Sequence, residues 1–503
     1  MSDDKSHAHG SDESACDAHE CDVAEDDIPR KTDGGVESVS PETVQFVDGI
    51  GSDLEHGELP LRVYNDPEIF QLELDRIFGN NWVFVGHETE IPEEGDYVKR
   101  YIGQDPFIFT RDEDGEIHVL FDSCRHRGSK VCRAEKGNTS HFRCPYHGWT
   151  YKNNGDLAAV PQKENAYEGM DLSEWGLLEA PRVTNYKGLV FASINEDVPE
   201  FEDYIGDFQW YLDIHLSLTD GGIEVIGDPF RYRINSNWKV GAENFAGDGY
   251  HTHTTHRSAI DTFVEREWSW EGERDYEFIS DIEGYYDGTT LMGLFQDDDI
   301  DAFWGYPDEV KEHFNPDNLS EDQWDIARRS AIHVGTVFPN LSIHHQNVTP
   351  PGERPIPFFS LRKWMPRGPD EMEVLNLILA PKETPAEWKE KIHQAAVYSF
   401  GPSGNFDQDD AAVWSGITDS AGGTFAKKHD VKLNYKMGMD DIGKAERDED
   451  WNGPGYASDI IHEGYSRTYH GNWVKAMQKP PGSDHHDDTL SGIDATENAE
   501  ADD

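Results

Sequence analysis

Short apolar runs, alternating with polar residues or continuous over a few positions, recur between about residues 81 and 200 and predict β-strands. In chain order the runs are WVFVG, DYVKRYIG, PFIFTR, EIHVLFD and GLVFASIN. The stretch RDEDGE, which lies between the third run and the fourth, predicts a hairpin turn. A small all-β domain is therefore expected over residues 81–200.

A helical pattern precedes this domain, within residues 56–80. Asp66 is a suitable cap for a helix that begins at Pro67, and Gly79 is a suitable end. The apolar stripe of this helix would consist of Phe70, Leu74, Ile77 and Phe78. We expect the helix to pack on the larger domain that follows the β-rich segment.

Residues 201–478 mix strand and helix patterns and predict that larger domain. FRYRINSN, FFSLRKWM and EVLNLILA predict strands, and a helix is expected from about Trp238. The segment TPAEWKEKIHQAAVYSF predicts a helix with a capping box, in which Thr384 is the cap, Pro385 the first residue and Glu387 the third.

The two ends of the chain, residues 1–55 and 479–503, are polar and acidic, which predicts disorder. The N-terminal tail holds side chains that could bind a stray metal ion, namely His7, His9, Cys16, His19 and Cys21. We interpret them as part of a solvated tail.

The charge of the chain bears on its partners and its solvent. The 503 residues include 100 acidic and 43 basic side chains, for a formal net charge of −57. Such a charge disfavours nucleic acid and anionic membranes as partners. In molar salt the screening length falls to roughly 3 Å, which removes most of the self-repulsion. We therefore predict a soluble protein of an extreme halophile.

The chain carries no sign of export. It has no stretch of the roughly 18 apolar residues that a membrane helix needs, and its N-terminus lacks the apolar core of a secretory signal. The five cysteines then predict reduced thiols, and not a disulfide framework. We expect a cytoplasmic protein.

The first metal motif lies in CRHRGSKVCRAEKGNTSHFRCPYHGW and has the pattern C-x-H-x17-C-x-x-H. Its candidate ligands are Cys124, His126, Cys144 and His147. Two thiolates and two imidazoles suit either a tetrahedral zinc ion or a Rieske [2Fe-2S] cluster. Because each loop supplies one cysteine and one histidine, two irons bridged by sulfide are favoured. Gly128 and Gly148 would let the backbone turn close to the cluster.

The loops CRHRG and CPYHGW resemble the two ligand loops of Rieske proteins. Respiratory-chain Rieske proteins carry two further loop cysteines that form a disulfide, and the corresponding positions here are Ser129 and Tyr146. The resemblance therefore implies the lower-potential cluster of oxygenases. We interpret Cys132 as a free thiol and expect no ligand role for His141.

The second motif is NWKVGAENFAGDGYHTHTTH. On a helix, Asn244, Asp248 and His251 would stand at i, i+4 and i+7 on one stripe. His256 needs a π-bulge or a helix end to reach the same side, whereas His253 would point away. Two histidines and one carboxylate with open positions are the facial triad of non-haem Fe(II) oxygenases.

With both motifs, residues from about 55 to 478 resemble the large (alpha) subunit of Rieske non-haem iron aromatic-ring-hydroxylating dioxygenases. The resemblance implies an α+β protein, with an all-β Rieske domain and a catalytic domain of antiparallel sheet flanked by helices. It implies His251 and His256 as iron ligands and assigns the carboxylate to SFGPSGNFDQDDAAVW, with Asp410 preferred and Asp409 as the alternative. Asp122 stands where the family often has asparagine.

The resemblance also implies an electron path. NAD(P)H reduces a reductase, often with a ferredoxin, and the cluster then reduces the mononuclear iron of a neighbouring subunit. Asp248 would bridge the neighbour's His147 to His251, with Asn244 nearby. The aromatic substrate and O2 would give a cis-dihydrodiol in an apolar pocket, for which Phe245, Phe400 and Phe406 are candidates. A trimer, α3 or α3β3 with a small beta subunit, is expected.

Three other functions stay open from the sequence. A Rieske monooxygenase or demethylase shares both metal sites. A pure electron-transfer protein would use only the cluster, and would leave the catalytic domain without a role. A non-catalytic assembly subunit would hold a silent mononuclear site. The substrate is not determined by the motifs.

Overall fold

The computed structural model describes residues 39–263, 274–297, 299–349, 354–439, 451–458 and 461–478. The acidic stretches 1–38 and 479–503, with the histidines and cysteines of the N-terminal tail, lie outside the described residues. None of the described helices is long and apolar enough to cross a membrane.

The N-terminal tail is shorter than predicted, because its last residues form a helix. Helix α1 (Pro41–Glu55) begins where the Ser40 hydroxyl accepts the N–H of Thr43, and proline occupies its first turn. Its buried side chains, Val47, Ile50 and Leu54 among them, face the C-terminal helix Gly464–Gln478. The prediction of disorder to residue 55 is wrong, because the packing of this sparse apolar stripe outweighs its acidic composition.

The next elements are strand β1 (Glu58–Pro60) and helix α2 (Pro67–Arg76). The carboxylate of Asp66 accepts the N–H groups of Glu68 and Ile69, so the predicted cap is confirmed. The helix ends at Arg76, before the predicted end at Gly79. Ile77 and Phe78 lie in the turn that follows and are still buried.

The β-rich segment forms small antiparallel sheets, and each predicted strand and the predicted hairpin are present. Its elements are β2 (Val83–His87), β3 (Asp96–Ile102), β4 (Asp105–Arg111), β5 (Ile117–Phe121), β6 (Lys136–Asn138), β7 (His141–Arg143), β8 (Thr150–Lys152), β9 (Leu157–Ala159), α3 (Lys163–Ala166), β10 (Arg182–Tyr186) and β11 (Leu189–Ser193). The sheet orders are β5-β4-β3-β6, β7-β8-β9 and β10-β11-β2.

The following segment begins with helices and enters the large sheet. Its elements are α4 (Phe201–Ile205), α5 (Phe208–Leu216), β12 (Ile223–Val225), β13 (Phe230–Ile234), α6 (Trp238–Asn244), α7 (Thr252–Thr255), α8 (Arg257–Phe263), β14 (Arg274–Ile282), β15 (Gly288–Phe295), α9 (Asp308–Lys311) and α10 (Glu321–Arg329).

The last segment completes the sheet and covers it. Its elements are β16 (Ser330–Val337), β17 (Leu341–Val348), β18 (Ile356–Pro366), β19 (Met372–Pro381), α11 (Ala386–Phe400), α12 (Asp407–Gly422), α13 (Thr424–His429), β20 (Lys432–Asn434), β21 (Tyr456–Ser458) and α14 (Gly464–Gln478). Single 3₁₀ turns lie at Leu61–Tyr64, Glu88–Glu90, Leu172–Trp175, Phe303–Gly305 and Pro316–Asn318.

One large antiparallel sheet organises the C-terminal part. Eight described strands follow the order β12-β19-β18-β17-β16-β15-β14-β21, and β13, paired to β19, is the ninth strand of the sheet. Every position of β18 and β19 is buried, because α11 packs on them and further chain covers the sheet. The predicted α+β architecture, an all-β domain plus an antiparallel sheet with helices, is confirmed.

The predicted capping box of α11 is wrong. The helix begins at Ala386 with Pro385 as its cap residue, and no side chain accepts a hydrogen bond there. The Thr384 side chain is buried and does not reach the first turn. The extended backbone of Pro385, with ψ at 144°, places Thr384 one residue too far from the helix for a cap.

A buried ion pair connects helix α2 to helix α6. Glu73 on α2 contacts the ammonium group of Lys239 on α6, and both side chains are fully buried. The same carboxylate accepts the indole N–H of Trp238 at 2.9 Å and of Trp473 at 2.8 Å. One carboxylate therefore connects α2, α6 and α14.

Replacing Glu73 by alanine is expected to lower the free energy of unfolding by about 3–5 kcal/mol, because the buried Lys239 loses its charged partner and two indole N–H groups lose their acceptor. Denaturant unfolding followed by circular dichroism measures this. The matched control is Glu55→Ala on the exposed end of α1, for which we expect a change within about 0.5 kcal/mol. A similar small change for Glu73→Ala would contradict the prediction.

Candidate active site

The two loops that carry the predicted cluster ligands adopt the same backbone turn. The carbonyl of Cys124 accepts the N–H of Gly128 at 2.8 Å, and the carbonyl of Cys144 accepts the N–H of Gly148 at 3.0 Å. Both glycines have positive φ, 74° and 75°, which residues with a side chain rarely adopt. The expectation that these glycines turn the backbone is confirmed.

The side chains of these loops are buried thiols and more exposed imidazoles. Cys124 and Cys144 are buried free thiols, while the rings of His126 and His147 lie with their centroids 4.5 Å apart and His147 is exposed. The Nδ1 atom of His126 is shielded from solvent and has no hydrogen-bond partner among the described residues. The four donors therefore fit the two-cysteine, two-histidine set of a Rieske cluster.

Cys132 and His141 take no part in this donor set. The thiol of Cys132 donates to the carbonyl of Ala134 at 3.3 Å. Burial raises the pKa of Cys132 to about 12, which keeps the thiol protonated. His141 is exposed, and its Nδ1 lies 2.9 Å from the hydroxyl of Ser140.

Asp122 braces the chain between the two ligand loops. Its Oδ1 atom accepts the N–H of Val131 at 2.8 Å and the N–H of Cys132 at 2.9 Å. Burial raises the pKa of this carboxyl group. An asparagine oxygen accepts the same two bonds, so the departure from the family pattern preserves the loop.

Replacing Cys132 by alanine is expected to leave the Rieske absorption and EPR spectra unchanged, because its thiol bonds to a carbonyl and not to the ligand set. Cys144→Ala serves as the matched comparison and is expected to abolish both signals. Iron and acid-labile sulfide analyses measure the result. Loss of the cluster from the Cys132 variant would mean that the ligand set is wrong.

The second motif is not one continuous helix. Helix α6 ends at Asn244, the chain turns through Gly247 with φ at 149°, and α7 begins only after His251. The prediction that Asn244, Asp248 and His251 share one helical stripe is therefore wrong. The turn still brings them together, because the Asp248 carboxylate accepts the N–H of His251 at 3.2 Å.

The end of helix α7 places His256 beside His251. His256 is the residue that ends α7, and its ring turns back towards His251, with the two Nε2 atoms 3.1 Å apart. The helix end that the sequence required is present. His253 is exposed.

A carboxylate from α12 completes this group. Asp410 Oδ1 lies 3.2 Å from His256 Nε2 and 3.4 Å from His251 Nε2. One donor atom from each of the three side chains falls within 4.8 Å of the other two, and His256 and Asp410 are buried. Two imidazoles and one carboxylate at this spacing fit a mononuclear iron site.

The side of His251 that faces away from this group is also partnered. Its Nδ1 lies 3.2 Å from Asp248 Oδ2 and 3.4 Å from the Asn244 amide nitrogen. Burial alone would lower the pKa of His251, but the hydrogen bonds to Asp248 and Asp410 outweigh it and raise the pKa to about 10. Without metal the imidazole is therefore protonated, and a metal ion takes the place of that proton.

Asp409 lies on the same helix turn but on a different side of His256. Its Oδ2 atom is 3.6 Å from His256 Nδ1, and the group of donor atoms described above does not include it. The structure thus brings Asp410, and not Asp409, to the converging nitrogen atoms.

The sequence did not reveal how the first turn of α12 is held. Arg362, fully buried on β18, donates to Asp407 at 2.7 Å and to the carbonyl of Phe400 at 2.9 Å. Tyr232 also donates to Asp407. These bonds fix the turn that carries Asp410. No local sequence signal points to Arg362, because its partner is distant in the chain.

The three candidate pocket phenylalanines have different surroundings. Phe406 packs edge-on against His256 with the ring centroids 5.2 Å apart, and Phe400 stacks on Phe406 at 5.3 Å. Phe245 packs on Trp364, with the ring centroids 5.3 Å apart. Burial lowers the pKa of the nearby His344 to about 3, and its ring contacts Phe400. Phe406 is thus the candidate that contacts a predicted ligand.

Comparison with known families agrees with this arrangement. The Rieske [2Fe-2S] domain matches residues 81–186, and the ring hydroxylating alpha subunit catalytic domain matches residues 209–478. Together the two domains define a Rieske-type oxygenase, an oxidoreductase with a [2Fe-2S] cluster and a mononuclear iron. Within that class, the chain belongs to the ring-hydroxylating alpha-subunit family.

Individual relatives cover nearly the whole chain. The N,N-dimethyl phenylurea N-demethylase subunit alpha of Sphingobium sp. (strain YBL2) is 36% identical over 86% of this chain and 94% of its own. The biphenyl 2,3-dioxygenase subunit alpha of Rhodococcus jostii (strain RHA1) is 34% identical over 84% and 90%. The solved structure of naphthalene 1,2-dioxygenase from Rhodococcus sp. bound to indole is 41% identical, with a TM-score of 0.81, over 88% and 99%.

Proposed function

We propose that this chain is the oxygenase component that adds both atoms of O2 to an aromatic ring and gives a cis-dihydrodiol. The convergence of His251, His256 and Asp410 within 4.8 Å carries the proposal. Similarity to biphenyl and naphthalene dioxygenases supports the ring as substrate class.

The ligand sets follow from the donors. Cys124, His126, Cys144 and His147 would hold the [2Fe-2S] cluster, and His251, His256 and Asp410 would hold the iron. When bound, the cluster supplies electrons and the Fe(II) supplies the site of oxygen chemistry. The chain itself orients the donors, through the bond between Asp248 and His251 and the brace between Arg362 and Asp407.

Electron transfer between subunits is the finer part of the proposal. His147 is exposed, and Tyr146 beside it has 59% of its surface exposed. Asp248 is only partly buried and adjoins the exposed Tyr250. Both faces are therefore open to a second copy of the chain, which supports an Asp248 bridge to the neighbour's His147 in a trimer, α3 or α3β3.

N-demethylation is the second candidate reaction. The relative that is 36% identical over 440 residues is named as an N-demethylase, and both reactions use the same metal ligands. Demethylation inserts one oxygen atom into a methyl C–H bond, and the product then releases formaldehyde. The two reactions therefore differ in the number of oxygen atoms from O2 that are added to the substrate.

Labelling with ¹⁸O2 distinguishes dihydroxylation of the ring from N-demethylation. The purified full chain, with a ferredoxin and reductase and NAD(P)H, is given ¹⁸O2 with naphthalene, biphenyl or N,N-dimethyl phenylurea. Two labelled atoms in a cis-diol support dihydroxylation, whereas formaldehyde with a demethylated product supports the second candidate. A cluster that reduces and reoxidises without any oxygenated product contradicts both and favours electron transfer alone.

The domain boundary, the partner proteins and the cellular location are also proposed. We propose a boundary near residue 200 between the Rieske and catalytic domains, because β2–β11 and the large sheet use separate strands. A ferredoxin or reductase as donor and a small beta subunit follow from the same family relationship. Cytoplasmic location and halophilic origin stay predictions.

The fold is expected to depend on salt. With a net charge of −57, lowering the salt from molar concentration to about 0.1 M lengthens the screening length from roughly 3 to 10 Å and restores the self-repulsion. Circular dichroism during dialysis should show loss of structure. Sucrose of equal osmolality is the control, and it should protect less than the salt does because it adds no ions to screen the charges. An unchanged spectrum in dilute buffer would contradict the prediction.

A further inference from the structure

The imidazole of His256 lies between two consecutive carboxylates of α12. Its Nε2 atom is 3.2 Å from Asp410 Oδ1, on the side where the metal donors converge. Its Nδ1 atom, on the opposite side of the ring, is 3.6 Å from Asp409 Oδ2. Each nitrogen of the ring thus faces its own carboxylate.

The two facing atoms are both without a hydrogen-bond partner among the described residues. His256 Nδ1 and Asp409 Oδ2 are also both shielded from solvent. Buried polar atoms of this kind are normally paired. Their separation slightly exceeds a hydrogen bond, and the Asp409 side chain, 33% exposed, has room to rotate and close it.

The same arrangement exists at the other histidine. His251 Nδ1 lies 3.2 Å from Asp248 Oδ2, while its Nε2 faces His256 Nε2 at 3.1 Å. A neutral histidine that binds metal through Nε2 carries its proton on Nδ1, and an acceptor there fixes the tautomer and the ring plane. Each of the two histidines therefore has a carboxylate on its outer nitrogen.

We propose that Asp409 is a positioning residue, which accepts the Nδ1 proton of His256 and orients its Nε2 towards the iron. This inference rests on His256 being an iron ligand, as in the proposed function. It assigns adjacent carboxylates different roles: Asp410 binds the metal, and Asp409 holds the ring that binds beside it. It also replaces the alternative in which Asp409 is itself the ligand.

The test measures metal affinity and not only turnover. Cluster-loaded Asp409→Ala and Asp409→Asn proteins are titrated anaerobically with Fe(II), and the nitric oxide adduct is recorded by EPR. Asp409→Ala should raise the dissociation constant roughly 10–100-fold and change the rhombicity of the adduct signal. Asp409→Asn should recover most of the affinity, because the amide oxygen accepts the same proton.

Asp419→Ala is the matched control, since it removes an exposed carboxylate from the same helix. Its affinity should equal that of the unchanged chain. Equal affinity for Asp409→Ala would overturn the inference. So would complete loss of iron in both Asp409 variants, because that outcome identifies a ligand. Failure of the unchanged chain to bind mononuclear iron would instead overturn the proposed function, which keeps the two failures distinct.

Discussion

Replacing Asp410 by alanine is expected to remove the mononuclear iron and leave the Rieske cluster intact. The Asp410 carboxylate is buried, and one of its oxygen atoms lies within 3.4 Å of the Nε2 atoms of both His251 and His256. No neighbouring acid takes its place, because Asp409 contacts the opposite nitrogen of His256. Turnover should fall by more than roughly a thousandfold, since several kcal/mol of metal-derived stabilisation are lost.

Iron analysis and EPR measure this result on one sample. The cluster signal of the reduced protein should persist, while the nitric oxide signal of the mononuclear site disappears. Asp419→Ala, at the exposed end of the same helix, should keep both signals. Normal iron content in Asp410→Ala, together with iron loss in Asp409→Ala, would exchange the two assignments.

Replacing Asp248 by alanine is expected to stop turnover even when saturating Fe(II) keeps both metals bound, because loss of this outer carboxylate weakens iron binding without removing an iron ligand. Asp248 faces Nδ1 of His251 at 3.2 Å, away from the three converging donors, so the iron keeps its ligands. What is lost is the carboxylate that would connect His251 to the neighbour's His147. Transfer of an electron from the reduced cluster should slow at least roughly a hundredfold.

Stopped-flow absorption of the reduced cluster, mixed with O2 and substrate, measures this step directly. Asp248 also accepts the backbone N–H groups of Tyr250 and His251. Asp248→Asn is therefore a second variant, in which the amide oxygen keeps those bonds while the negative charge is lost. His253→Ala, exposed on α7, should behave like the unchanged chain. Full activity in the Asp248 variants would remove the bridging role.

Local patterns predicted much of this protein. The strands of residues 81–200, the Asp66 cap and the two glycine turns depend on neighbouring residues, and each is present. The spacing of cysteine and histidine also sufficed to predict the four cluster donors, because each predicted ligand pair lies within one loop. Errors arose where packing outweighed composition: α1 is a helix because its sparse apolar stripe is buried against α14.

The candidate iron site depends on more than local spacing. An ideal helix through NWKVGAENFAGDGYHTHTTH would have put His256 on the wrong side, and the end of helix α7 at His256 corrects this. Nothing in the motif alone requires the helix to end at that residue.

By itself, the amino-acid sequence determined the class of protein, and it predicted the cluster donors and the two histidines, since those predictions depend on residues a few positions apart. Only the tertiary structure showed that Asp410, and not Asp409, lies at the converging nitrogen atoms of the histidines. Which carboxylate reaches the histidines depends on the rotation of α12 about its axis, and the buried pair of Arg362 and Asp407 sets that rotation. Arg362 and Asp407 meet only when strand β18 and helix α12 pack together. The adjacent acids Asp409 and Asp410 therefore face different nitrogen atoms of His256.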